Sequence, residues 1–133
     1  MIFVEFNDGQ PVGVDICKIT FAYYSEVFDS VEVVLDDDNM LHLDTSYEDF
    51  VERIKQAVTL APYRQATPVF VECADYMDGS KVLINLEKVQ FFYENDNNCV
   101  AVDFGGGLGV VIAGHYDDFV QKIMKVEGYV CEQ

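Results

Sequence analysis

Apolar residues along this chain fall into short β-rich runs parted by polar turns, and the same succession of runs occurs twice. Phe3-Val4-Glu5 recurs as Phe70-Val71-Glu72, and Asp8-Gly9 as Asp78-Gly79. Val14-Asp15-Ile16-Cys17-Lys18-Ile19 lines up with Ile84-Asn85-Leu86-Glu87-Lys88-Val89, and Phe21 and Tyr23 with Phe91 and Tyr93. After a one-residue gap, Val31 and Val33 match Val100 and Val102. Tyr47 to Ile54 then match Tyr116 to Ile123. The order is collinear throughout, and the matched positions are mostly apolar, so the pattern predicts one structural unit used twice.

Each unit reads as several strands followed by a helix. Phe3 to Phe6 and Val69 to Cys73 are β-rich and run into Asp-Gly turns; Ile19 to Tyr24 and Val89 to Tyr93 mix β-branched and aromatic residues. Val31 to Leu35 and Leu41 to Leu43 flank Asp36-Asp37-Asp38-Asn39, while Val100 to Phe104 and Val110 to Ile112 flank Gly105-Gly106-Gly107, and both arrangements predict hairpins. Tyr47, Phe50, Val51, Ile54 and Val58 make one apolar stripe at helical spacing, with Glu48, Glu52 and Lys55 opposite. Ser46 followed three residues later by Asp49 forms a capping pair, which sets the helix start. Tyr116, Phe119, Val120 and Ile123 repeat the stripe behind a poorer cap, Gly114-His115.

A strand-rich unit of about 55 residues buries too little surface to stand alone, so two are expected to pack together. The predicted fold is α+β: a tandem duplication of a β-rich unit, several short antiparallel strands plus a C-terminal helix, packed as one compact molecule. Residues 1–57 form the first repeat, 58–69 a proline-containing connector and 70–133 the second repeat. Two arrangements fit this pattern: one continuous sheet, or two packed small barrels. The pattern of Ile84-Asn85-Leu86 with Val89, the hairpin of Val100 to Phe104 and Val110 to Ile112, and the helix Tyr116 to Ile123 resembles the small flagellar FlbD-like proteins, one repeat at a time. Val14-Asp15-Ile16 follows the same course in the first half. The resemblance implies a non-enzymatic, regulatory fold.

Composition then narrows the function. Half of the 133 residues are hydrophobic, with ten Phe and eight Tyr, which excludes intrinsic disorder. Twenty-four acids against eight bases give a formal charge of −16. A surface of that charge repels phosphate, so no direct nucleic-acid binding is expected. The N-terminus has no basic stretch before its acids, and no apolar run reaches the length of a membrane span. The expectation is a mature chain starting at Met1, with no membrane partner. Cys17, Cys73, Cys99 and Cys131 are scattered without metal-ligand spacing, which suits reduced thiols in a cytoplasmic protein.

No chemical motif stands up to its spacing requirements. Gly105-Gly106-Gly107-Leu108-Gly109 leads into Val110-Val111-Ile112 and not into a helix, as a phosphate loop would. Met40 and Leu41 stand where a calcium loop beginning at Asp36 needs a ligand and a glycine. His42 and His115 occupy unrelated repeat positions; the first alternates with leucines on a strand and the second begins a helix. No catalytic, metal or cofactor residues are expected, and the chain is read as a non-enzyme.

The acids are densest in the first half, where residues 1–57 hold thirteen acids and three bases. Glu26, Asp29, Glu32, Asp36, Asp37, Asp38 and Asp44 crowd its strands and turns, with Glu48 and Glu52 on the next helix face. These nine form the candidate partner-binding surface. The expectation they support is an acidic protein-interaction module engaging a basic partner, steered by charge. In its sharp form this is a nucleic-acid mimic of the kind phages and mobile elements encode as inhibitors, anti-CRISPR proteins among them. The alternative is a structural, assembly or regulatory protein of duplicated FlbD-like fold, with incidental acidity and homo-oligomers built through strand edges.

Overall fold

The computed structural model describes residues 1–61, 66–95 and 98–126. Its described residues form an α+β fold of ten strands in three antiparallel sheets and two helices. The elements are β1 (Phe3–Asn7), β2 (Pro11–Asp15), β3 (Ile19–Ser25), β4 (Ser30–Leu35), β5 (Met40–Leu43) and α1 (Tyr47–Leu60). There follow β6 (Phe70–Ala74), β7 (Lys81–Asn85), β8 (Phe91–Asn95), β9 (Cys99–Gly105), β10 (Leu108–Ala113) and α2 (Tyr116–Val126). A 3₁₀ turn joins β2 to β3 at Ile16–Lys18 and another joins β7 to β8 at Leu86–Lys88, so the element order of the first half recurs in the second.

Local chemistry explains the recurrence. Gly9 and Gly79 both take φ +73°, the left-handed conformation that closes the β1–β2 and β6–β7 turns. Asp15 accepts a hydrogen bond from the Cys17 amide, and Asn85 accepts one from the Glu87 amide, so each 3₁₀ turn is capped by the side chain before it. Ser46 Oγ accepts from the Asp49 amide at 3.1 Å and starts α1 where the capping pair placed it. The β4–β5 and β9–β10 hairpins pair as their apolar patterns predict.

The sheets do not follow the division between halves. β1 and β2 form a two-stranded sheet, β10, β9 and β8 a three-stranded one, and the central sheet has the order β5-β4-β3-β7-β6. The second half therefore lends its first hairpin to the sheet of the first, and neither one continuous sheet nor two separate barrels results. β7 pairs with β3 through Phe21 opposite Ile84, Ala22 opposite Leu83 and Tyr23 opposite Val82. Sequence reading did not assign β2 or β7 as strands, because Pro11 and Gly13 interrupt one pattern and the other is a short apolar run. The first helix also continues to Leu60, beyond residue 57.

This central sheet separates two cores. Ala22, Val31, Val33 and Leu83 face a first core with Phe6, Ile16, Phe50 and Ile54. Phe21, Val34, Val82 and Ile84 face a second with Val100, Phe104, Phe119 and Ile123. Successive residues of a strand point to opposite faces, so the unbroken buried run Ile19 to Ala22 is the signature of a strand covered on both sides. Asn85 sits at the junction, fully buried, and its Nδ2 donates to the Ile19 carbonyl at 2.8 Å across 66 residues of sequence.

Two substitutions test this core. Phe50→Ala should cost about 3–5 kcal/mol by opening a cavity in the first core. Asn85→Ala removes the donor to Ile19 and the cap of the second 3₁₀ turn, and should cost about 1–3 kcal/mol by stranding a buried carbonyl. Urea denaturation reads both as a lowered midpoint at unchanged slope; an unmoved midpoint for Asn85→Ala would remove its role as the junction between halves.

Candidate functional site

A concavity lies where the two halves meet. It is a half-open cleft of about 950 Å³ between the β3–β4 turn, the start of α1 and the β6–β7 turn. Its wall carries Glu26 and Asp29 from the first of these, Asp44 and Glu48 from the second, and Asp75 and Asp78 from the third. Phe21, Tyr23, Tyr24 and Tyr47 supply aromatic surface, and Lys81 is the one cation lining it among the described residues. The cleft exists because β7 is paired to β3, which brings the two acidic turns to the same edge of the central sheet.

The tyrosines are tied to carboxylates. Tyr23 donates to Glu32 Oε2 and Tyr24 to Asp29 Oδ1. Burial, followed by the hydrogen bond and charge of Glu32, pushes the Tyr23 phenol up to about 12. Tyr24 is raised too, chiefly by its bond to Asp29. Tyr47 donates to Glu72 Oε2 at 3.1 Å, and burial with the Glu72 charge raises its phenol well above the ordinary range. Hydrogen bonds from Ser80 hold the Asp78 carboxyl below the usual carboxylate range. Such bonds hold the three phenols as donors to the neighbouring carboxylates.

The nine acids of the sequence-derived surface do not share one place. Glu26, Asp29, Asp44 and Glu48 line the cleft. Glu32 is 4% exposed, with His42 Nδ1 3.4 Å from its Oε1, so it is a buried partner of Tyr23 and His42. Asp36 faces two lysines, with Lys88 Nζ at 3.3 Å and Lys18 Nζ at 4.0 Å from its Oδ2. Asp37 holds the β4–β5 turn through the Asn39 amide at 3.1 Å, and Asp38 takes φ +67° beside it. Glu52 lies on the exposed face of α1, near Gln56. Sequence reading did not connect Asp75, Asp78 or Lys81 with the first-half acids, because only long-range strand pairing makes them neighbours.

His42 is half exposed and lies under the Phe28 ring at 5.1 Å, and His115 precedes α2, its carbonyl accepting from the Phe119 amide. Neither lines the cleft. Cys73 and Cys99 are buried free thiols and Cys17 is partly buried; burial raises the Cys73 thiol. Cys131 and Arg64 lie outside the described residues. Among the described residues no three His, Cys, Asp or Glu side chains are grouped to hold a metal ion, and no helix is long and apolar enough to cross a membrane.

The architecture has a solved counterpart. The LytTr DNA-binding domain of a methyl-accepting/DNA response regulator from Bacillus cereus superposes with a TM-score of 0.60, covering 93% of this chain and 97% of that one at 13% identity. At that identity the likeness is one of fold. No protein-family model and no curated protein matches this chain. The counterpart is a LytTr domain, and a DNA-binding one, which overturns the expectation of an acidic inhibitor that mimics nucleic acid, engages a basic protein surface and binds no nucleic acid directly. The expectation rested on net charge, which is summed over the whole surface, whereas a binding face is local and is set by which few side chains the fold brings together.

The tyrosine network gives a pH prediction. Tyr23 holds its proton more tightly folded, at about 12, than unfolded, near 10, so the unfolded chain loses protons first as pH rises. Stability contributed by Tyr23 is therefore complete below about pH 10 and is lost as pH climbs through about 12, with Tyr47 adding to the alkaline loss. Glu32→Gln should lower the Tyr23 ionisation, read from tyrosinate absorbance. An unchanged titration would separate Tyr23 from Glu32.

Proposed function

We propose that this chain is a non-enzymatic regulatory domain that acts on DNA. The observation carrying this reading is the likeness of fold to a LytTr DNA-binding domain along nearly the whole length of both chains. The charge of −16 opposes it, so DNA must be met through a local cationic face with the acidic cleft turned away from the phosphates. The lysines on offer for such a face are Lys18 and Lys88 of the two 3₁₀ turns, which converge on Asp36 with Asp15, Asp37, Asp38 and Glu87 nearby in the chain, so contact with phosphate would have to be made by these two side chains individually.

We also infer that the two halves, residues 1–57 and 70–133 across the connector 58–69, derive from one duplicated unit. The collinear sequence matches support it, as do the equivalent caps Asp15 and Asn85 and the equivalent positive-φ residues Asp29 and Asn98.

The test is selection from a random duplex pool at low salt, followed by fluorescence anisotropy across a salt series. The expected result is retention of a defined sequence, with log K falling against log salt at a slope of about −2 for two lysines. Lys18→Ala with Lys88→Ala should flatten the slope and weaken binding. Recovery of no duplex at low salt would overturn the DNA reading.

A further inference from the structure

One aromatic pair occurs twice in this molecule, once covered and once bare. Phe21 and Tyr23 on β3 stack with ring centroids 6.1 Å apart and planes 17° apart. Their repeat equivalents Phe91 and Tyr93 on β8 stack at 6.3 Å and 19°. Phe21 is 7% exposed, whereas Phe91 and Tyr93 are each 52% exposed. Phe21 is covered both across the second core, where it stacks on Phe104 at 5.4 Å, and by the strand beside it. β7 lies along the outer edge of β3, while β8 ends the three-stranded sheet among the described residues.

The molecule also carries the piece that such an edge accepts. β2 is the equivalent of β7, with Val12, Gly13 and Val14 aligned on Val82, Leu83 and Ile84. Among the described residues β2 pairs with β1 alone, so its other side is open. A side chain at Gly13 would meet nothing within 4 Å. Thus the described residues include a strand edge to which no hairpin is added and a hairpin added to no further strand, and the pairing of β7 with β3 supplies the register that joins them.

We propose that a second copy of this chain docks its β1–β2 hairpin along β8 and covers Phe91 and Tyr93. In that register Val14 of the incoming copy stands opposite Phe91, Gly13 opposite Phe92 and Val12 opposite Tyr93, as Ile84, Leu83 and Val82 stand opposite Phe21, Ala22 and Tyr23. The occupant is a second copy because the same chain already makes this contact internally with equivalent residues on both sides. Edge addition of this kind gains main-chain hydrogen bonds and buries the alternate aromatic side chains. The contact is head-to-tail, since the two surfaces differ. It is weaker than its internal counterpart, because Asp103 stands where Val34 fills the second core in the first half.

Charge gives the contact a distinctive sign. Two copies at −16 repel, so added salt strengthens their association by screening, whereas it weakens a contact with DNA. The proposal does not rest on the DNA reading, and the opposite salt dependences keep their failures distinguishable.

The test is sedimentation equilibrium of the full chain over a wide concentration range at low and high salt. The expected mass rises above 15.1 kDa with concentration, more so at high salt. Phe91→Lys with Tyr93→Lys should raise the dissociation constant by about tenfold or more, with an unchanged thermal melt because both side chains are exposed. A second experiment mixes a Val12→Cys chain with a Tyr93→Cys chain under mild oxidation. Residues opposite each other on paired strands lie within disulfide reach, so mass spectrometry should find a cross-link between positions 12 and 93. A mass of 15.1 kDa at every concentration and salt would overturn the proposal. So would association that the lysine variant leaves intact and that yields no such cross-link.

Discussion

The pairing of β7 with β3 is the contact on which the rest of this structure depends. Each half alone has about the size at which a β-rich unit is marginal, because too much of its apolar surface would face water. Lending the β6–β7 hairpin to the sheet of the first half lets one layer of strands serve two cores. Ala22 and Leu83 then look one way, Phe21 and Ile84 the other. Asn85 makes the arrangement specific: its buried amide satisfies the Ile19 carbonyl while its oxygen caps the turn into β8. A hydrophobic residue at that site could fill the volume but could not meet both demands.

The same contact arranges the charge. Pairing β7 with β3 carries the β6–β7 turn, with Asp75 and Asp78, up to the turn that holds Glu26 and Asp29. Like charges gathered at one seam repel, and the structure answers locally with hydrogen bonds from Tyr24 to Asp29, Ser80 to Asp78 and Tyr47 to Glu72. Glu32 is the exception in that it leaves the surface and is held under Tyr23 and His42. Lys81, on the cleft wall, and Lys122 reach Glu72, while Lys18 and Lys88 of the 3₁₀ turns reach Asp36. Net charge is a sum and does not say which side chains one face presents.

A fold whose element order recurs while its sheets are shared has two unlike ends. Among the described residues β1 and β2 pair only with each other, and β8 pairs only with β9. Interior strands of such an array read as unbroken apolar runs, whereas the ends read as alternation. That contrast is visible between the fully buried start of β3 and the pattern of β8, where Phe91 and Tyr93 point outward.

Much of the plan was legible in the sequence because it rests on local rules. The Asp-Gly turns, the capped start of α1 at Ser46, the helical stripe from Tyr47 to Ile54 and the two later hairpins all follow from spacing and backbone preference. The strands β2 and β7 did not emerge, because five residues with a proline and a glycine, or one short apolar run, carry no period of their own. The candidate site was half legible. Its first-half acids could be named, but their union with Asp75, Asp78 and Lys81, and the withdrawal of Glu32 into the interior, are consequences of which strand pairs with which. By itself the sequence determined the repeated order of strands and helix, the turns between them and the sum of the charge. Only the tertiary structure decided that the second half lends a hairpin to the first, where the charges meet and which described strands share a sheet, because strand partners are chosen by contacts distant in sequence that no local pattern records.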